Sequence, residues 1–145
     1  GIFLTGVAQM LILIGGTALL FQIDWGNWLA VIVLVLSAVF GALGWGLLLT
    51  VVAKTPGQVA NIGSAMMLIF GILSGSFTNP QTLPVWLQYA SRITPNAWAL
   101  DGFVALGLGG GFPDILMPLG ALILMGLVLF ALTVFLFLRR GGLQR

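Results

Sequence analysis

Four long apolar runs fill most of this chain, at residues 2–21, 28–52, 59–77 and 115–138. The few charges sit almost entirely between or after them. A helix needs about 20 apolar residues to cross the hydrocarbon core of a bilayer. Three of the runs meet or exceed that length, and the run at 59–77 falls just short. In lipid no water is available for backbone N–H and C=O groups, so runs of this kind must be helical. The pattern predicts an all-α membrane protein with four transmembrane helices, whose function operates inside or across a membrane.

Composition closes off most other readings. Hydrophobic residues make up 60% of the chain and charged residues 6%, whereas a soluble domain carries about 25% charged residues. A water-soluble surface cannot be assembled from this sequence. The net charge of +2 is too small to suggest a nucleic-acid partner. There is no Cys and no His, which removes disulfides, thiol catalysis, haem ligation and the usual zinc sites. The three carboxylates, Asp24, Asp101 and Asp114, are too far apart in sequence to pair on one helix. No catalytic, cofactor-binding or metal-binding set is expected, and the chain does not read as an enzyme. It opens at Gly1 without the basic n-region of a secretory signal. Residues 1–145 are read as one transmembrane domain cut from a longer membrane protein.

Small and polar residues mark particular faces of the runs. The connection between the first two is short and polar and contains Trp25 and Trp28. Tryptophan favours the headgroup level, and a turn this short makes the two spans antiparallel neighbours. In the second run Ala38, Ala42 and Gly46 recur every four residues, with Gly41 close by. Such faces let helix backbones approach closely in lipid. The run ends at a compact turn, Ala53-Lys54-Thr55-Pro56-Gly57. In the third run Gly71 and Gly75 form a G-x-x-x-G match, read either as helix packing or as a bend that opens a transport path. Gln9, inside the first run, can be satisfied by one interhelical hydrogen bond or can stand in a polar pathway. No charge lies deep in any run, so neither a proton relay nor a fixed ion site is expected.

The interruption at 78–114 is too long for a turn and too apolar for a disordered loop. A first short helix is expected at 83–92, with Pro84 near its start. Thr94-Pro95 repeats a helix-start signal, Thr as cap and Pro at the first position, for a second helix ending near Leu106. The glycines at 107 and 109–111 stop it. They lack the spacing and the following Lys of a phosphate-binding loop. Each helix is about half a span long, so the two read as a pair of short re-entrant or interfacial helices before the last span. Arg92 and Asp101 flank the Thr94-Pro95 break and can meet as an ordinary ion pair or serve an outer gate. Trp86, Gln88, Pro95 and Trp98 complete that candidate element.

Orientation follows from the cations. Lys54, Arg139, Arg140 and Arg145 fall on the side shared by the chain ends, and only Arg92 falls on the other. The positive-inside rule makes the first side cytoplasmic. The Trp25 turn and residues 78–114 are then external.

Several motifs occur in a fixed order. They are Ala53-Lys54-Thr55-Pro56-Gly57-Gln58, Leu73-Ser74-Gly75, Leu83-Pro84-x-Trp86-Leu87-Gln88, and Thr94-Pro95-x-x-Trp98-x-x-Asp101-Gly102. Over essentially its whole length the chain resembles the carboxy-terminal two-thirds of an ATP-binding-cassette transporter permease of the type-2 exporter class. The resemblance implies a multi-pass permease subunit of a bacterial plasma (inner) membrane exporter. It implies a six-span permease paired with a second permease copy, as homo- or heterodimer. A separate cytoplasmic ATP-binding-cassette ATPase subunit binds and hydrolyses the ATP, so no cofactor is expected in this chain. The four runs would be the third to sixth spans, with the first two spans and a coupling helix upstream. Two permease copies would rock between inward- and outward-open states to move a hydrophobic or amphipathic substrate, such as a drug, a lipid or a lipid-linked glycan. The rival from another class is a non-transporting membrane scaffold or assembly protein whose spans only pack against membrane lipid and each other.

Overall fold

The computed structural model describes residues 1–142. Residues 143–145, and with them the tail charge Arg145, lie outside the described residues. The described residues form six α-helices: α1 (Ile2–Phe21), α2 (Trp28–Val52), α3 (Pro56–Leu73), α4 (Val85–Ser91), α5 (Pro95–Gly107) and α6 (Leu116–Gly142). Short 3-10 turns at Pro80–Thr82 and Phe112–Ile115 precede α4 and α6. Helices α1, α2 and α3 and the segment Phe112–Gly141 are each long and apolar enough to cross a membrane. This is a multi-pass, all-α membrane protein.

Local chemistry sets the helix ends. Asn27 caps α2, its side-chain oxygen accepting the Leu29 N–H at 3.0 Å. Helix α3 begins and ends earlier than the apolar run at 59–77. At its start the Thr55 hydroxyl accepts the Gln58 N–H at 3.2 Å, and Gln58 Oε1 accepts the Lys54 N–H at 2.9 Å. Thr55-Pro56 is thus the same start signal as Thr94-Pro95, and sequence reading took it for a turn. At the other end Gly75 adopts a left-handed φ of 78°. Its N–H donates to Ile72 O and the Ser76 N–H to Gly71 O, both at 3.3 Å. These are the paired bonds of a Schellman C-cap, and they stop α3 four residues before the apolar run stops. Helix α5 ends the same way: Gly109 N–H donates to Leu106 O at 3.1 Å and Gly110 N–H to Ala105 O at 2.9 Å.

Helix α2 is the centre of the bundle. In its most apolar stretch 44% of residues are buried, against 6% in α1 and 11% in α3. Its buried side chains Val31, Leu34, Val35 and Ala38 join Leu106, Ile115, Leu119 and Leu122 in the main core. One side of α2 meets α6 at very short range. A Cβ added at Gly44 would sit 2.9 Å from Leu129 Cβ, and one at Gly41 would sit 3.3 Å from Leu122 O. Gly126 of α6 in turn accommodates the Phe40 ring. Hydroxyls within the spans bond their own helix: Ser37 to Val33 O at 2.9 Å and Thr133 to Leu129 O at 2.7 Å.

The pair α4–α5 is re-entrant. Pro95, at the start of α5, lies beside Gly41, 3.6 Å from a Cβ placed there. Gly41 is about halfway along the 25 residues of α2. Further along α5, Gly102 abuts Leu34, and a Cβ added at Gly107 would lie 3.7 Å from the Trp25 ring at the α1–α2 connection. So α5 runs antiparallel to α2, from the middle of the bundle back to the end that carries Trp25. That end is called the hairpin end below, and the opposite one the Lys54 end.

Candidate functional site: a groove under a re-entrant hairpin

The tip of the hairpin is built by one residue. Thr94, 1% exposed, donates its hydroxyl to Ser91 O at 2.7 Å and accepts the Ala97 N–H at 3.2 Å. It closes α4 and opens α5 with the same oxygen. Pro95 follows at the first helical position, where its absent N–H leaves no bond unmade. Gln88 braces the entry to α4 by donating to Leu83 O at 2.8 Å. Arg92 and Asp101 form the ion pair that their positions around the break suggested. The guanidinium also lies 4.8 Å from the Trp98 ring centroid, and Trp98 Nε1 donates to Arg92 O at 2.8 Å. Each side chain of the ion pair is 46% exposed, which limits its contribution to stability to below about 1 kcal/mol. Trp86 is 68% exposed.

Beside the tip, α1, α2, α3 and α5 surround a groove of about 390 Å3. Ala38, Ala42 and Gly46 of α2 line it, opposite Gln9 of α1. Pro95 and Asn96 bring the hairpin tip into the same wall. Most of the lining is apolar. Among the described residues neither the Gln9 nor the Asn96 side chain has a hydrogen-bond partner, unlike the hydroxyls of Ser37 and Thr133. Two unpaired amides on an otherwise apolar wall can bind a polar group of an apolar guest without the desolvation cost of a charge.

The structure redistributes the small residues that sequence reading assigned to helix packing. Gly41 packs closely against Leu122 of α6. Ala38 is buried, but a Cβ at Gly46 would meet nothing within 4 Å. The Ala38–Ala42–Gly46 face borders the groove instead of closing on a neighbour. Gly71 and Gly75 do not form one helix face, because α3 stops at Leu73. Gly75 is the C-cap, and Gly71 makes room for Phe77, which folds back to 2.9 Å from a Cβ placed there. Gly44, Gly102 and Gly126 are further close-packing glycines: a Cβ at any of them would lie within 3.0 Å of a neighbouring side chain. Asn96 was also missed: nothing in a sequence distinguishes the second residue of a short helix as groove-lining.

Four apolar helices, a half-depth hairpin before the last of them and an uncharged groove beneath its tip define a polytopic membrane domain. The chain belongs to the ABC-2 family transporter proteins, whose family model matches residues 1–135. It is similar to the linearmycin resistance permease protein LnrN of Bacillus subtilis (strain 168), with 32% identity over 130 residues. That match covers 89% of this chain and 34% of the relative, so the chain spans about a third of the relative's length. No solved structure matches.

Proposed function

We propose that this domain is part of the membrane-spanning permease subunit of an ATP-driven exporter in a bacterial plasma membrane. Family membership across residues 1–135 is the observation that carries this reading. In it, a separate ATP-binding-cassette ATPase docks on the cytoplasmic side and a second permease copy completes the path. The groove bordered by Gln9, Ala42, Gly46 and Asn96 takes the apolar part of a hydrophobic or amphipathic substrate. The re-entrant hairpin, with its tip at mid-depth, closes the path from outside. The Bacillus relative is named for linearmycin resistance, which makes linearmycin the first compound to test among hydrophobic or amphipathic substrates.

The decisive experiment uses the full-length protein. It should co-purify with an ATP-binding-cassette ATPase and stimulate ATP-dependent efflux of such a substrate from vesicles. A protein that inserts correctly yet binds no ATPase and supports no efflux would leave the scaffold reading in its place. Sidedness is tested separately. The sequence contains no Cys, so single cysteines can be added without removing any. Asn27→Cys and Asn79→Cys should react with an impermeant thiol reagent applied outside, and Thr55→Cys should not. Reaction of Thr55→Cys from outside would invert the orientation.

A further inference from the structure

On the flank of the hairpin away from the groove, α4, α5 and the start of α6 enclose a cavity of about 470 Å3. Tyr89, Arg92, Trp98, Asp101, Asp114 and Pro118 line it. Its three charges are held in place before any ligand arrives. Arg92 is fixed by Asp101 and by the Trp98 ring. Asp114 is fixed by the turn before α6, its Oδ2 accepting the Gly111 N–H at 2.7 Å. The turn packs closely on the end of α5, since a Cβ at Gly110 would lie 2.6 Å from Ala105 O.

Much of the bonding capacity of these groups is unused. A guanidinium has five N–H donors, and among the described residues only Nη1 of Arg92 is engaged. The second oxygens of Asp101 and Asp114 have no partner among the described residues. Asp114 lies in the first turn of the segment Phe112–Gly141, which is long and apolar enough to cross a membrane, so headgroups would lie at its level. Around the cavity large apolar side chains are exposed: Tyr89 is 75% exposed and Met117 74%. Aromatic residues at such a level suit the headgroup region.

One cation and two carboxylates lining a single cavity, at the level of a headgroup, fit a zwitterion. A phosphate would take the free guanidinium N–H groups, and an ammonium would take a free carboxylate oxygen. The net charge of the three groups is −1, which disfavours a purely anionic headgroup. A choline headgroup cannot donate a hydrogen bond to a carboxylate. The Trp98 face that could hold it by a cation–π contact is already occupied by Arg92. We propose that this cavity is a binding site for an ethanolamine phospholipid, gripped by Arg92 at its phosphate and by Asp114 at its primary ammonium. The site is independent of the export reading, because it needs only the hairpin and a bilayer.

The test compares ethanolamine, choline and glycerol phospholipids with identical acyl chains on the purified full-length protein, by native mass spectrometry and by melting temperature. The ethanolamine lipid should be retained about tenfold better than the other two, the worth of one charge-assisted hydrogen bond. It should also raise the melting temperature most. Asp114→Asn keeps an oxygen for the Gly111 N–H, so the fold should survive while the preference for ethanolamine over choline is lost. Arg92→Gln should weaken all phospholipids. Equal retention of the three lipids, or an undiminished preference in Asp114→Asn, would overturn the proposal. So would soluble phosphoethanolamine stabilising the protein as well as the lipid does, since that would make the site one for a free anion.

Discussion

On one side of α2, Gly41 and Gly44 are pressed against Leu122 and Leu129 of α6. On the other, Ala42 and Gly46 border an open groove facing Gln9 and Asn96. Both faces are made of small residues on the same helix. They differ in what stands opposite. Helix α6 brings large side chains and a glycine of its own at matching heights, so the backbones close up. Helices α1 and α3 stay mostly exposed and leave a gap. In lipid there is no hydrophobic drive to shut such a gap, and close approach depends on complementary packing alone. A small-residue stripe therefore permits contact without requiring it.

This contrast is sharpest in substitutions of the two kinds of glycine. Gly44→Leu, or Leu at Gly126, should cost about 3 kcal/mol or more by overpacking a seam with no room for a Cβ. Purified protein should show it as a large fall in melting temperature or a failure to accumulate in the membrane. If Gly44→Leu were as stable as the parent, the α2–α6 seam would not be the structural core.

Next in size is the hairpin tip. Thr94→Ala removes a buried cap and a hydroxyl bridge, and should cost about 1–2 kcal/mol. Thr55→Ala removes the same kind of cap at an exposed site and should cost about 0.5 kcal/mol. Melting curves of the two variants side by side test whether burial, rather than motif, sets the difference. Equal losses would place the tip nearer water than its packing against Gly41 implies.

A smaller stability effect, below about 1 kcal/mol, is expected from Arg92→Ala or Asp101→Ala. Under the proposed function each should nonetheless impair export while leaving insertion and partner-driven ATP hydrolysis largely intact. The exchange Arg92→Asp with Asp101→Arg should recover part of the loss. Wild-type export by both single variants would reduce the hairpin to an anchor.

The smallest effect on stability should come from Gly46→Leu, within about 0.5 kcal/mol, because the added side chain enters open space. Its expected consequence is reduced export, as the groove fills. A variant that loses stability like Gly44→Leu would show that the groove is closed by a packed neighbour in the membrane.

Much of the architecture was legible in the sequence, and particular residues show where legibility stopped. The four spans were readable because a bilayer imposes length and apolarity on any segment that crosses it. The hairpin was readable because Thr94-Pro95 and the glycines after Leu106 are local signals with local causes. Thr55-Pro56 carried the same signal and was overlooked beside a charged turn. The G-x-x-x-G spacing misled, because Gly75 is needed for a left-handed backbone rather than for a helix face. The meeting of Arg92 with Asp101 was foreseeable from their places around one short turn.

By itself, then, the sequence determined an all-helical, four-span membrane domain with a half-length helical pair before the last span. Those features follow from backbone hydrogen bonding in lipid and from local capping, which neighbouring residues settle between them. Only the tertiary structure decided how deep the hairpin reaches, which small face of α2 is packed and which is open, and that Gln9, Asn96 and Gly46 share one groove. Each of these depends on which side chains from distant segments stand at the same height, and periodicity within one helix carries no information about its partner.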